Sequence, residues 1–150
     1  MLEALSLLTE YLNKKGLKNT RQRKLILEVF LQSPTHVSPE ELLSAVQQES
    51  KGVGMATIYR TMKLFTEAGI SHERRFDDGV TRYEVAYNKD HHDHLICTLC
   101  GHIFEFEDEI IEEQQRLVAQ KYNLQITSHK LQIYGQCQEA ENCSRYQDRR

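Results

Sequence analysis

Between His91 and Cys100 the chain reads H-H-D-H-L-I-C-T-L-C, and six of these residues are of metal-ligating type: His91, His92, Asp93, His94, Cys97 and Cys100. A strand alternates its side chains between two faces, so an extended run here sends His92 and His94 one way and His91 and Asp93 the other. One short strand thus carries ligands for two metals. The C-x2-C pair that follows is half of a tetrahedral zinc site, and the remaining cysteines, Cys137 and Cys143, are placed to supply the other half. Four soft thiolates hold Zn²⁺ without leaving an open position for catalysis. Mixed imidazole and carboxylate ligation suits Fe²⁺, Mn²⁺ or Zn²⁺ better than Ca²⁺ or Mg²⁺. Candidate partners for His92 and His94 are His36, Glu84 and Glu105; for the opposite face they are Glu112 and His129. Spacing alone leaves each of these five open between ligand and ordinary surface residue.

The elements that must position these groups follow from periodicity and punctuation. Leu5, Leu8 and Leu12 share a helical face over Ala4–Lys14, with Gly16 as a stop. Thr20 precedes a second helix with Leu25, Ile26, Val29 and Phe30 inward and Arg21, Arg23 and Lys24 at its exposed start; cations there oppose the helix dipole, which leaves their use open between phosphates and a solvated surface turn. Ser38-Pro39-Glu40-Glu41 forms a capping box for a third helix over about Pro39–Gln48. After the glycine punctuation K-G-V-G, a fourth helix buries Ile58, Met62, Phe65 and Met55 and leaves Thr57, Tyr59, Arg60 and Lys63 for DNA, in the manner of a helix-turn-helix reader. The alternating segments I-S-H-E-R-R-F and V-T-R-Y-E-V-A-Y flank Asp77-Asp78-Gly79, a hairpin turn that adds a wing. Polar Y-N-K-D at 87–90 reads as a linker. The metal strand, a strand at His102–Glu107, a helix at about Asp108–Tyr122 and a last strand at Leu124–Tyr134 complete the chain. The fold class is α+β, with a winged-helix domain over 1–86, a hinge over 87–90 and a metal-binding domain over 91–150.

Charge is divided in the same way. The net charge of −3 splits into 12 Lys/Arg against 10 Asp/Glu over residues 1–83 and 7 against 12 over residues 84–150. A basic front half on an acidic, His-rich back half suggests two jobs. Glu3 and Glu10 interrupt the apolar N-terminus and no basic region precedes it, so it reads as an amphipathic helix and not a signal peptide. Nothing approaches the ~18 uninterrupted apolar residues of a membrane span. A cytoplasmic protein with no membrane partner is expected, which favours metal over disulfides for the cysteines. Two halves of this size need a metal or a partner chain for stability. A zinc hydrolase would need an open metal position and a general base, and no H-E-x-x-H or nucleophile motif occurs. Such a hydrolase would also leave the Arg/Tyr face at Thr57–Lys63 unexplained, and a zinc-ribbon interaction module is told apart by the absence of metal-dependent DNA binding.

Together G-L-K-N-T-R-Q-R (16–23), H-V-S-P-E-E-L (36–42), A-T-I-Y-R-T (56–61), H-H-D-H-L-I-C-T-L-C-G (91–101) and the late cysteine pair resemble the ferric uptake regulator family of metal-dependent transcription factors over nearly the whole length. The resemblance implies a winged-helix DNA reader, a hinge and a C-terminal α/β dimerisation domain with a four-cysteine zinc site. It also implies three metal positions. Cys97, Cys100, Cys137 and Cys143 would hold structural Zn²⁺; His36, Glu84, His92, His94 and Glu105 would hold a regulatory Fe²⁺, with Mn²⁺ or Zn²⁺ as substitutes; His91, Asp93, Glu112 and His129 would form the third site. Lys18, Thr57, Tyr59 and Arg60 would contact a double-stranded operator. The function implied is a homodimeric, or larger, repressor of iron-uptake genes, the alternative being a zinc-, manganese- or peroxide-responsive regulator of the same family. Peroxide sensors of the family typically carry aspartates where this chain has Glu84 and Glu105, which favours iron.

Overall fold

Side-chain caps and a left-handed stop set the helices of the N-terminal half. α1 (Leu2–Lys15) turns Ala4, Leu8 and Leu12 inward and ends at Gly16, whose φ of 65° lies where a side chain is strained. α2 (Arg21–Gln32) starts at Thr20, whose hydroxyl accepts from the Arg23 N–H. α3 (Pro39–Glu49) opens on a reciprocal cap: the Ser38 hydroxyl accepts from the Glu41 N–H while the Glu41 carboxylate accepts from the Ser38 N–H. α4 (Met55–Glu67) follows a turn pinned by Val53, which is buried and whose carbonyl accepts from Gln47. The inward faces, including Ile26, Phe30, Leu42, Val46, Ile58, Met62 and Phe65, form one core, with the Phe30 and Phe65 rings 6.4 Å apart.

This computed structural model describes residues 1–87 and 91–142, and the chain divides into two units, Met1–Lys89 and Asp90–Arg150. In the first, β1 (Ser71–Arg75) and β2 (Thr81–Val85) form an antiparallel hairpin with Arg74 opposite Arg82 and His72 opposite Glu84. Gly79, at φ 73°, closes its turn, and Asp78 accepts from the Val80 N–H at 3.0 Å. Val37 bridges Tyr83 through two backbone hydrogen bonds of 3.0 and 2.8 Å, so the segment ahead of α3 runs beside β2. The result is a winged helix-turn-helix. Tyr87, which the sequence places at the start of the linker, packs against this core; residues 88–90 lie outside the described residues.

In the second unit β3 (Asp93–Cys97) is the central strand, antiparallel to β4 (Ile103–Phe106) and parallel to β5 (Gln132–Gly135). The parallel pairing needs a crossover, which α5 (Glu109–Lys121) supplies, capped by Asp108 accepting from the Ile110 and Ile111 N–H groups. The last strand corrects the sequence reading: Leu124–Leu131 is irregular and only Gln132–Gly135 pairs. Its template, β3, offers partners only from His94 to Cys97, and Asn123 at φ 55° turns the chain sharply out of α5. Alternation alone does not make a strand where no neighbouring edge exists. Among the described residues, no helix is long and apolar enough to cross a membrane.

Candidate metal centres and nucleic-acid interface

The alternation of β3 separates its ligands. On one face Asp93, His91, Glu112 of α5 and His129 meet, with one potential ligand atom from each all within 4.8 Å of one another. His91 Nε2 stands 3.3 Å from Asp93 Oδ1 and 3.6 Å from Glu112 Oε1; His129 Nε2 stands 3.6 and 3.2 Å from the same two oxygens. A tetrahedron with metal–ligand bonds of about 2.1 Å has edges of about 3.4 Å, so these separations match the spacing that one ion requires. A second observation agrees. Among the described residues, five side-chain atoms are buried without a hydrogen-bond partner, and three of them are Asp93 Oδ1, Glu112 Oε1 and His129 Nε2. Buried acceptors without donors are costly unless a cation satisfies them. A fourth, Gln115 Oε1, belongs to a residue one turn after Glu112 that the sequence reading did not single out.

On the opposite face, the His92 and His94 rings lie 5.0 Å apart, His94 is paired in register with Glu105 of β4, and His92 Nε2 is 3.5 Å from Glu105 Oε1. His36 and Glu84 belong to the first unit, where His36 Nε2 is 3.0 Å from Glu84 Oε2 with both side chains almost fully buried. The Val37–Tyr83 bridge brings the two together. Glu84 has a further partner absent from the sequence reading: Arg74 donates to Glu84 Oε1 through Nε and Nη2, each at 2.7 Å. The register of the β1–β2 hairpin puts Arg74 on the same face as Glu84.

Cys97 and Cys100 are buried at the end of β3, in a tight turn closed by the Gly101 N–H to the Cys97 carbonyl at 2.8 Å, with Gly101 at φ 70°. None of Cys97, Cys100 and Cys137 is in a disulfide. Burial pushes the Cys97 thiol up, but the N–H groups of Cys100, Leu99 and Cys137, with the Cys100 thiol, outweigh it and hold Cys97 below its ordinary value. A sulfur that gathers N–H donors is prepared to be a thiolate, the form that binds zinc. Those donors also place the Cys137 backbone beside Cys97; Cys143 lies outside the described residues.

On α4, Tyr59, Arg60 and Lys63 are exposed and Thr57 is half-buried, whereas Ile58, Thr61, Met62, Leu64 and Phe65 are buried. Lys18 is exposed ahead of α2, its carbonyl accepting from the Arg23 guanidinium, and Gln22 donates to the Gly52 carbonyl at 3.2 Å. The start of α2 is thus tied to the turn before α4.

The family model described as "Ferric uptake regulator family" matches residues 14–134. The ferric uptake regulation protein of Campylobacter jejuni is 43% identical over 133 residues, covering 87% of this chain and 84% of that protein. The solved structure of the Helicobacter pylori ferric uptake regulator, described as revealing three functional metal-binding sites, superposes with a TM-score of 0.86 at 34% identity, covering 95% of this chain and 94% of that one. The Vibrio cholerae regulator gives a TM-score of 0.73 at 42% identity over 85% of this chain and 98% of that one. With the winged helix, the two-faced ligand strand and these similarities in place, the chain belongs to the ferric uptake regulator family of metal-responsive, DNA-binding transcriptional regulators, which act as dimers and are not enzymes.

Proposed function

We propose that this chain is an Fe²⁺-responsive repressor of iron-uptake genes, working as a zinc-stabilised homodimer, with a winged-helix domain over 1–86, a hinge over 87–90 and a metal-binding dimerisation domain over 91–150. In this reading one regulatory metal takes His36 and Glu84 from the DNA-reading domain and His92, His94 and Glu105 from the other. The observation that carries it is the ligand inventory of each half. A buried His36–Glu84 pair is held on the wing, and a His92–His94–Glu105 group occupies the β3 face turned away from the third cluster. Neither half has enough ligands to fill an octahedral ion. A metal bound to both fixes one relative angle of the domains, and in a symmetric dimer that angle sets the spacing of two recognition helices against the DNA repeat. Cys97, Cys100, Cys137 and Cys143 hold structural Zn²⁺, and His91, Asp93, Glu112 and His129 hold a third ion.

Thr57, Tyr59 and Arg60 then face the bases, with Arg60 donating to guanine, while Lys18 contacts the DNA backbone or the minor groove. The second copy covers the apolar face of the second unit, where Leu95, Phe104 and Ile133 form an exposed cross-strand row and α5 has no buried residue of its own. Metal promotes operator binding only through its preference for the DNA-competent geometry, and a 100-fold preference corresponds to about 2.7 kcal/mol. The test is His36→Ala, titrated on operator DNA with and without Fe²⁺ under anaerobic conditions. Cysteine-bound zinc and dimerisation are expected to survive while most of the Fe²⁺ stimulation disappears. A ratio of affinities equal to wild type would refute the hinge mechanism.

A further inference from the structure

The wing hairpin carries two arginines directly opposite one another, Arg74 and Arg82, and each is held by a different carboxylate. Arg82 makes a two-point pair with Asp78 at 3.1 and 2.7 Å, and its guanidinium lies 5.7 Å from the centre of the Phe76 ring. Phe76 in turn meets the edge of His36, with ring centres 5.8 Å apart. Arg74 takes Glu84 instead, both of its donors converging on Oε1, while His36 faces Oε2. The Glu84 side chain is fully buried and that of Arg74 is one-quarter exposed. Two N–H groups converging on Oε1 fix the plane of the carboxylate, and Oε2 then faces His36.

We propose that Arg74 is a positioning residue of the regulatory site: by holding Oε1 it turns the Glu84 carboxylate so that Oε2 lies beside His36 before any metal arrives. The inference rests on the regulatory site proposed above. Phe76 packs on the imidazole while Arg74 holds the carboxylate, so the wing carries the two groups as a pair. Partners of this kind, which touch a ligand and not the metal, typically change metal affinity by about 10–100-fold when removed.

The test is an Mn²⁺ titration of operator binding for wild type, Arg74→Met, Arg74→Lys and His36→Ala, all carrying their cysteine-bound zinc. Arg74→Met is expected to move the Mn²⁺ midpoint upward by about 10–100-fold while reaching the wild-type operator affinity at saturation. Arg74→Lys, which restores the charge but not the paired donors, is expected to fall between the two. An unshifted midpoint in Arg74→Met overturns the inference, provided His36→Ala has lost its response. A lowered plateau with an unshifted midpoint also overturns it, because Arg74 would then only build the wing. If His36→Ala keeps the full Mn²⁺ response, the regulatory site itself is misassigned and the inference falls with it. Should Arg74→Met fail to fold, Arg74→Lys alone decides: a midpoint identical to wild type means that two-point presentation of Glu84 is irrelevant.

Discussion

Asp93→Asn is expected to have opposite consequences with and without metal, and the third cluster sets the size of each. The ligating oxygens of Asp93 and Glu112 lie within 4.8 Å of one another, and the Asp93 side chain is almost wholly buried. Two unit charges 4.8 Å apart repel by roughly 3.5 kcal/mol at an effective dielectric of about 20. Delocalisation of each charge over two oxygens, and the flanking imidazoles, reduce this. Asparagine removes one charge and adds an amide donor facing Glu112, so the metal-free second unit should gain about 1–3 kcal/mol. The metal-dependent gain should collapse. At a metal concentration 100 times the dissociation constant, binding stabilises wild type by about 2.7 kcal/mol, and a hundredfold weaker variant gains only about 0.4 kcal/mol. The assay is hydrogen exchange of β3, whose His94 amide donates to the Leu131 carbonyl at 3.1 Å, measured with and without Mn²⁺ while the cysteine zinc is retained. Metal-free Asp93→Asn exchanging faster than wild type, or an undiminished response to Mn²⁺, would show that the cluster is a hydrogen-bonded surface group and not a metal centre.

Two further outcomes follow from the other sites. Cys97→Ser should lose zinc and the dimer together, because Cys97 is the sulfur on which the N–H groups of Cys100, Leu99 and Cys137 converge; metal analysis with sedimentation checks it, and a stable zinc-free dimer contradicts it. Arg60→Ala should cost about 1–3 kcal/mol on specific operator only, whereas Lys18→Ala should weaken all DNA evenly and flatten the salt dependence. Equal losses on operator and random DNA for both variants would remove that division of labour.

The H-H-D-H run was legible because strand period is strict: two residues apart means the same face, whatever the rest of the chain does. The capping box at Ser38 was legible for a similar reason, since its donors and acceptors lie within four residues. Leu124–Tyr134 misled because its alternation is real but only Gln132–Gly135 has an edge to pair with, and pairing depends on residues nearly 40 positions away. Arg74 was invisible for another reason. Nothing local distinguishes it from Arg75, and only the hairpin register, which puts Arg74 on the Glu84 face and leaves Arg75 exposed, tells them apart. Gln115 shows its orphaned oxygen only in the folded unit.

The period of β3 also limits how such a protein can vary through descent. Ligands for opposite faces alternate residue by residue from His91 to His94, with Cys97 three positions further along the same strand. Inserting or deleting one residue here would rotate every following side chain to the wrong face, exchanging the two imidazole sets and turning Cys97 away from its partners in one step. Substitution carries no such penalty, because each position answers to a single neighbourhood. With the ligand sets proposed above, exchanging a side chain alters one centre at a time, while the length of the run is constrained by both.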